Sequence, residues 1–100
     1  MEKKTAEEYI IMLGNRIREY RIGLNLQQAE VAEQAGIASV TVRKIEKGQS
    51  ITVENLIKIL TALHLDHNLE ELVPDYTKSP LYGMQHPRKR VKKPYKTGGK

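Results

Sequence analysis

The sequence lacks cysteine, tryptophan and phenylalanine altogether. Without cysteine, disulfides, zinc sites with cysteine ligands and thiol catalysis are excluded. No apolar run approaches the roughly 18 residues of a membrane-spanning helix, and the charged, mixed N-terminus is unlike a signal peptide. We therefore expect a small cytoplasmic protein without membrane contact, in which Leu, Ile, Val and Ala form one modest core.

Acidic side chains are missing from residues 78–100, which hold eight Lys or Arg. The first 77 residues carry nine basic and all twelve acidic side chains, so the net charge of +5 originates in the C-terminal end. That end also contains proline and glycine, and its composition cannot bury enough apolar area to offset the entropy of ordering. We predict one folded domain over residues 5–76 and a basic disordered tail over residues 77–100.

Alternating strand patterns are also missing, and apolar residues instead recur at helical spacing. The first helix begins with a capping-box pattern, in which Thr5 is the N-cap and Glu8 reaches back to it. The predicted helices span about residues 6–21, 28–35 and 39–47, followed by a fourth helix capped by Thr52 and a short fifth helix carrying Leu69, Leu72 and Val73. In the fourth helix, the predicted buried stripe consists of Val53, Leu56, Ile57, Leu60 and Leu63. The predicted fold class is all-α, with five helices.

The second and third helices are short and separated by a tight turn, which is the helix-turn-helix pattern. Gly36 can adopt the positive φ that such a turn needs. The small side chain of Ala32 allows a near-perpendicular contact between the two helices. Helix 3 must then bury one face, which carries Val42 and Ile45, and leave the other face free to enter a major groove.

The stretch SVTVRKIEKG places an apolar residue on that free face. At 100° per residue, Val40 points away from the buried face, into a row formed by Arg43, Lys44 and Lys47. An apolar side chain there can pack against the methyl group of thymine, which only the major groove displays. The alternatives are that Val40 is an incidental exposed valine and that the basic row is merely solvated.

These residues carry a resemblance to a known family. The segment QQAEVAEQAGIASVTVRKIEKGQSITVENLIKILTAL resembles the Cro/lambda-repressor-like (XRE) helix-turn-helix family. The resemblance implies a five-helix lambda-repressor-like domain in a bacterial cytoplasmic protein, associated with the nucleoid when bound to a double-stranded DNA operator. A short recognition helix reads few bases, so we expect a homodimer on a pseudo-palindromic site.

The resemblance also implies roles for individual residues. Base edges would be contacted by Ser39, Val40, Arg43 and Lys44, and phosphates by Gln28, Thr41 and Lys47. For Arg43, contact with a phosphate is the alternative. Arg21 and Glu46 would form a structural ion pair between helix 1 and the end of helix 3. The chain departs from the family at Gln27 and Ala38, which stand where capping residues are usual, so the starts of helices 2 and 3 are undecided.

A second, shorter resemblance covers LEELVPDYTKSPLYGMQHPRKRVKK, which looks like the end of HipB-like antitoxins. It implies an autorepressor that is the antitoxin of a type II pair, with a HipA-type kinase toxin as partner. The tail residues that would make contacts, either with DNA or with the toxin, are Arg88, Lys89, Arg90, Lys92 and Lys93.

Two alternatives to an antitoxin stay open. One is an ordinary XRE repressor without a toxin partner, and the other is a protein-interaction module that does not bind DNA. An enzyme is not expected, because the sequence contains no pattern typical of a nucleophile–base pair, a metal site or a phosphate-binding glycine loop. We accordingly expect no cofactor and no metal.

Overall fold

The computed structural model describes residues 3–78 of the chain. These residues form α1 (Ala6–Gly23), α2 (Gln28–Ala35), α3 (Ser39–Glu46), α4 (Val53–Ala62) and α5 (Leu69–Leu72), with 3-10 turns at Asp66–Asn68 and Tyr76–Lys78. The prediction of an all-α fold with five helices is confirmed, and residues 3–78 contain no strand. The predicted tail lies outside the described residues from position 79 onward, and the domain boundary stays a prediction.

Helix α1 begins where the sequence predicts but extends beyond its predicted end. The side chain of Thr5 accepts a hydrogen bond from the Glu8 N–H at 3.1 Å, and Glu8 Oε1 accepts one from the Thr5 N–H at 2.9 Å. The predicted end at Arg21 is two residues early, because the helix includes Gly23. The left-handed residue of this turn is Asn25, with φ of 62°, a conformation that asparagine tolerates better than most side chains.

The undecided starts of α2 and α3 lie at Gln28 and Ser39. Gln27 is the N-cap of α2, and its backbone N–H donates to Glu30 Oε1 at 2.7 Å. Ala38 is the N-cap of α3 and offers no side-chain hydrogen bond. The turn between the helices works as predicted: Gly36 has φ of 73°, and the Ile37 N–H donates to the Ala32 carbonyl at 3.0 Å.

One core joins the first four helices. Its buried residues are Ile17, Val31, Ala32, Val42, Ile45, Ile59, Ala62 and Leu63. The predicted stripe of α4 is partly wrong, because Val53 and Ile57 are 71% and 40% exposed while the unpredicted Ile59 is fully buried. Helix α4 is apolar at so many positions that periodicity alone does not fix which arc faces the core.

The crossing of α1 over α3 depends on Gly14, which the sequence did not single out. Gly14 is buried, and a Cβ added there would overlap the carbonyl oxygen of Ile45 and lie 3.3 Å from the Glu46 Cα. The two backbones therefore approach at the C-terminal end of α3. This close approach brings the last turn of α1 next to Glu46.

The C-terminal end of the domain, around α5, is poorly buried. The predicted fifth helix is split into the 3-10 turn Asp66–Asn68 and the single α-helical turn of α5. Leu72 and Val73 are largely exposed, whereas Leu65 packs against the core. Within residues 3–78, none of the helices combines the length and apolar character needed to cross a membrane.

Candidate nucleic-acid interface

Helix α3 divides cleanly into a buried and an exposed face. Val42 and Ile45 are buried, which confirms the predicted phase of the helix. Val40 is 47% exposed on the other side, and Arg43, Lys44 and Lys47 are exposed with it. Among the described residues, none of these three cations has a carboxylate within ion-pair distance. Their charges are therefore available to an external anion.

An open depression of about 510 Å³ lies between the end of α1, the start of α2 and α3. The structure brings three of the predicted DNA-contacting residues, Gln28, Ser39 and Arg43, to its wall. Arg18 lines it too, although the sequence analysis did not select Arg18. Its position could have been predicted from the sequence, because Arg18 precedes Arg21 by three residues and so lies on the same face of α1.

A second depression, of about 360 Å³, lies on the other side of α3, against the start of α4. Thr41 and Lys44, both predicted contacts, line it together with Ser50 and Asn55. The Thr52 side chain accepts a hydrogen bond from the Asn55 N–H at 3.1 Å, which fixes the start of α4. Hydroxyl, amide and ammonium groups are the donors that proteins use on phosphate oxygens. The two depressions thus flank the exposed face of α3 with donors.

Arg21 and Glu46 lie together beneath this surface. Arg21 Nε donates to Glu46 Oε2 at 2.7 Å, and Nη2 donates to Oε1 at 3.0 Å. The remaining nitrogen, Nη1, donates to the Leu26 carbonyl at 2.9 Å. The two side chains are only 12% and 3% exposed. This bidentate pair joins α1 to the end of α3 and to the loop before α2.

The same carboxylate holds Gln28. Gln28 Nε2 donates to Glu46 Oε1 at 3.0 Å, so one N–H of the amide is used inside the protein. A primary amide has two N–H donors and one carbonyl acceptor. The second N–H therefore remains as a donor for a phosphate oxygen, and the carbonyl remains as an acceptor for water. Whether Gln28 contacts DNA stays a prediction, but its side chain is anchored beside the depression that Arg18 and Arg43 line.

The electrostatics of the pair keep Arg21 charged. Its hydrogen bond with Glu46 raises the pKa of the guanidinium above the usual value, against the opposing effect of burial. The guanidinium of Arg21 therefore stays protonated beside the carboxylate. Within residues 3–78 there is no group of three or more His, Cys, Asp or Glu side chains placed to hold a metal ion.

Comparison with known proteins agrees with this geometry. A family model described as helix-turn-helix matches residues 17–69, which is more than half of the chain. The chain belongs to this family. The predicted resemblance to Cro/lambda-repressor-like (XRE) proteins is thereby confirmed. The matched range includes α2, α3 and α4 completely, together with Arg21 and Glu46.

One curated relative is the cryptic phage CTXphi transcriptional repressor RstR of Vibrio cholerae serotype O1 (strain ATCC 39315 / El Tor Inaba N16961). It is 36% identical to this chain over 58 residues, which cover 57% of this chain and 50% of RstR. The chain therefore spans about half the length of this relative.

Replacing Glu46 tests the pair. In Glu46→Gln, the buried guanidinium of Arg21 keeps its charge and loses its anionic partner, so we expect the free energy of unfolding to fall by about 3 kcal/mol, at the lower end of the range for broken buried pairs. Urea unfolding followed by circular dichroism measures this change.

The matched control is Glu54→Gln, which removes the acidic member of the exposed Lys58–Glu54 pair at 3.2 Å. Such surface pairs contribute less than about 1 kcal/mol. If Glu46→Gln unfolds at the same urea concentration as Glu54→Gln, the Arg21–Glu46 pair does not stabilise the fold and our account of it is wrong.

Proposed function

We propose that this protein is a sequence-specific DNA-binding transcriptional repressor without enzymatic activity. The observation that carries the proposal is the exposed face of α3, where Val40 lies among three unpaired cations on a helix anchored by Val42. Membership of the helix-turn-helix family supports it, as does similarity to a protein named as a transcriptional repressor.

In this proposal α3 enters the major groove of an operator. Ser39 and Val40, in its first turn, and Lys44, one turn later, meet the base edges. Val40 offers only apolar contact and favours a thymine methyl, whereas Lys44 donates to the O6 and N7 acceptors of guanine. Arg43 also lines the depression near Gln28, so it reads a base or holds a phosphate, according to how deeply the helix enters.

Phosphate contacts fix the helix in the groove. We assign them to Thr41, Lys47 and the free N–H of Gln28, and we add Arg18 because it lines the same depression as Gln28. These groups neutralise the phosphates of the DNA backbone or donate hydrogen bonds to them. Such contacts do not read the base sequence directly. The tail residues Arg88, Lys89, Arg90, Lys92 and Lys93 would add affinity of the same kind.

The repressor is proposed to act as a homodimer. A recognition helix of 8 residues contacts too few base pairs to specify an operator, and two-fold pairing doubles the number of bases read. The operator then contains two inverted half-sites, centred about one helical turn, or roughly 34 Å, apart.

A finer proposal is that the repressor is an antitoxin that represses its own operon. It rests on the resemblance of the segment after α5 to HipB-like antitoxins, in particular Ser79, Pro80 and Leu81 with the basic tail. The partner would be a HipA-type kinase toxin. An ordinary XRE repressor with no toxin partner is the second candidate.

Co-expression distinguishes these two candidates. If the protein is an antitoxin, the product of the adjacent gene arrests growth alone, co-purifies with this chain and becomes harmless when this chain is present. A neighbouring gene product that neither slows growth nor co-purifies would make the chain an ordinary repressor.

Binding-site selection tests the DNA-binding proposal itself. We expect the wild-type protein to select two inverted half-sites. Val40→Ala and Lys44→Ala should each relax the preference at one position per half-site, at a cost of about 1 to 3 kcal/mol there. Lys47→Ala should weaken all sites alike and reduce the salt dependence of binding by about one unit of slope.

The chain supplies matched controls for both kinds of change. Val73→Ala removes an exposed valine near α5, and Lys58→Ala removes a lysine from α4. Val73→Ala should leave the preference at every base unchanged, and Lys58→Ala should leave both the overall affinity and the salt slope unchanged. If the wild-type protein selects no sequence and its binding is insensitive to salt, the chain is a protein-interaction module. If Val40→Ala leaves every position unchanged, Val40 is an incidental exposed valine.

A further inference from the structure

An apolar groove of about 430 Å³ runs between α1, α4 and α5. Its wall is made mainly of leucines. The residues used below are Leu13, Tyr20, Leu60, Leu65, Leu69 and Leu72. Its volume falls within the range of about 300 to 1,000 Å³ that is typical of pockets that bury a ligand. The groove lies on a part of the domain that the DNA-contacting residues do not use.

The wall of this groove stays accessible to water. Tyr20 is 51% and Leu72 is 71% exposed. Exposed apolar side chains that line one concave surface, rather than being scattered singly, mark a place where another apolar segment binds.

Acidic residues lie in α5 and on either side of it in sequence, whereas Arg16 of α1 is the charged residue that lines the groove itself. Residues 59–77 contain four acidic side chains and neither lysine nor arginine. The four are Asp66, Glu70, Glu71 and Asp75, and all of them are exposed. A partner that suits this surface therefore has an apolar part for the groove and a basic part for its α5 end.

The chain itself contains such a segment. Leu81, Tyr82 and Met84 form an apolar group, and five basic residues follow between positions 88 and 93. Leu81 lies nine residues after Leu72, a length that spans up to about 30 Å when extended. The apolar group thus follows closely on the helix that forms one wall of the groove.

We infer that residues 81–84 bind in the apolar groove of the same molecule, with the basic residues 88–93 beside the acidic end of α5. Two matches carry the inference. The leucine, tyrosine and methionine side chains of the segment suit a leucine-lined groove, and its basic run suits the four exposed carboxylates in and beside α5. The charge pairs lie in water and are individually weak. The cations can therefore exchange carboxylates for DNA phosphates while the apolar group stays bound.

Paramagnetic relaxation in the full chain tests this inference. Because the chain has no cysteine, Gln85→Cys gives one attachment point for a nitroxide next to the apolar group. We expect the amides of Leu13, Tyr20 and Leu60, which line the groove but are far from position 85 in sequence, to lose most of their intensity, and those of α3 to keep it. The loss should persist in 1 M salt, where the Debye length falls to about 3 Å, because apolar contacts hold the segment.

Two controls make the result decisive. The same label on a chain that also carries Leu81→Ser, Tyr82→Ser and Met84→Ser should leave the groove amides at full intensity, with the basic residues unchanged. A mixture of isotope-labelled protein without nitroxide and unlabelled protein with nitroxide should show no broadening, because the contact is within one molecule.

Three outcomes would overturn the inference. Broadening that disappears in high salt would mean that charge alone holds the segment. Broadening in the mixed sample would mean that a second copy supplies it. Unbroadened groove amides in the labelled chain would mean that the groove is not the binding place of residues 81–84.

Discussion

The buried pair of Arg21 and Glu46 is the constraint on which the exposed face of α3 and the adjoining start of α2 depend. A carboxylate that is 3% exposed must be paired, and here three donors reach it, two from Arg21 and one from Gln28. Arg21 uses its remaining nitrogen on the Leu26 carbonyl. The end of α1, the start of α2 and the end of α3 are thus fixed to one another by hydrogen bonds whose loss leaves a buried charge.

This constraint acts together with the backbone contact at Gly14. Because Gly14 places no side chain between α1 and the Ile45 carbonyl, the end of α3 lies close to α1. Arg21 can therefore donate to Glu46 through both Nε and Nη2. With α3 fixed in this way, Val42 and Ile45 face the core. The cations at positions 43, 44 and 47 therefore face solvent. The folded part is acidic overall, so a local basic face arises from helix phase and not from composition.

Much of the fold could be predicted from the sequence, because residue type and short-range spacing determine where helices begin, turn and bury a face. Capping at Thr5, the left-handed Gly36 and the two-residue buried face of α3 each follow from residue type and spacing. Gly14 could not be predicted, because a glycine within a helix indicates nothing about which backbone approaches it. The burial of Ile59 and the exposure of Ile57 were also missed, since α4 is apolar on most sides and only its neighbours select the buried arc. The hydrogen bond of Gln28 to Glu46 joins residues 18 apart in sequence, beyond the reach of local rules.

We propose that Glu46, which accepts a hydrogen bond from Gln28, positions that side chain for DNA, and a double-mutant cycle on operator affinity tests this most directly. The four proteins are wild type, Gln28→Ala, Glu46→Ala and the double variant, measured at a temperature where circular dichroism shows all four to be folded. If Glu46 acts through Gln28, the double variant loses less affinity than the two single losses combined, with a coupling of at least about 0.5 kcal/mol. Strictly additive losses would contradict this proposal, because they would mean that the contribution of Gln28 to DNA affinity does not depend on Glu46.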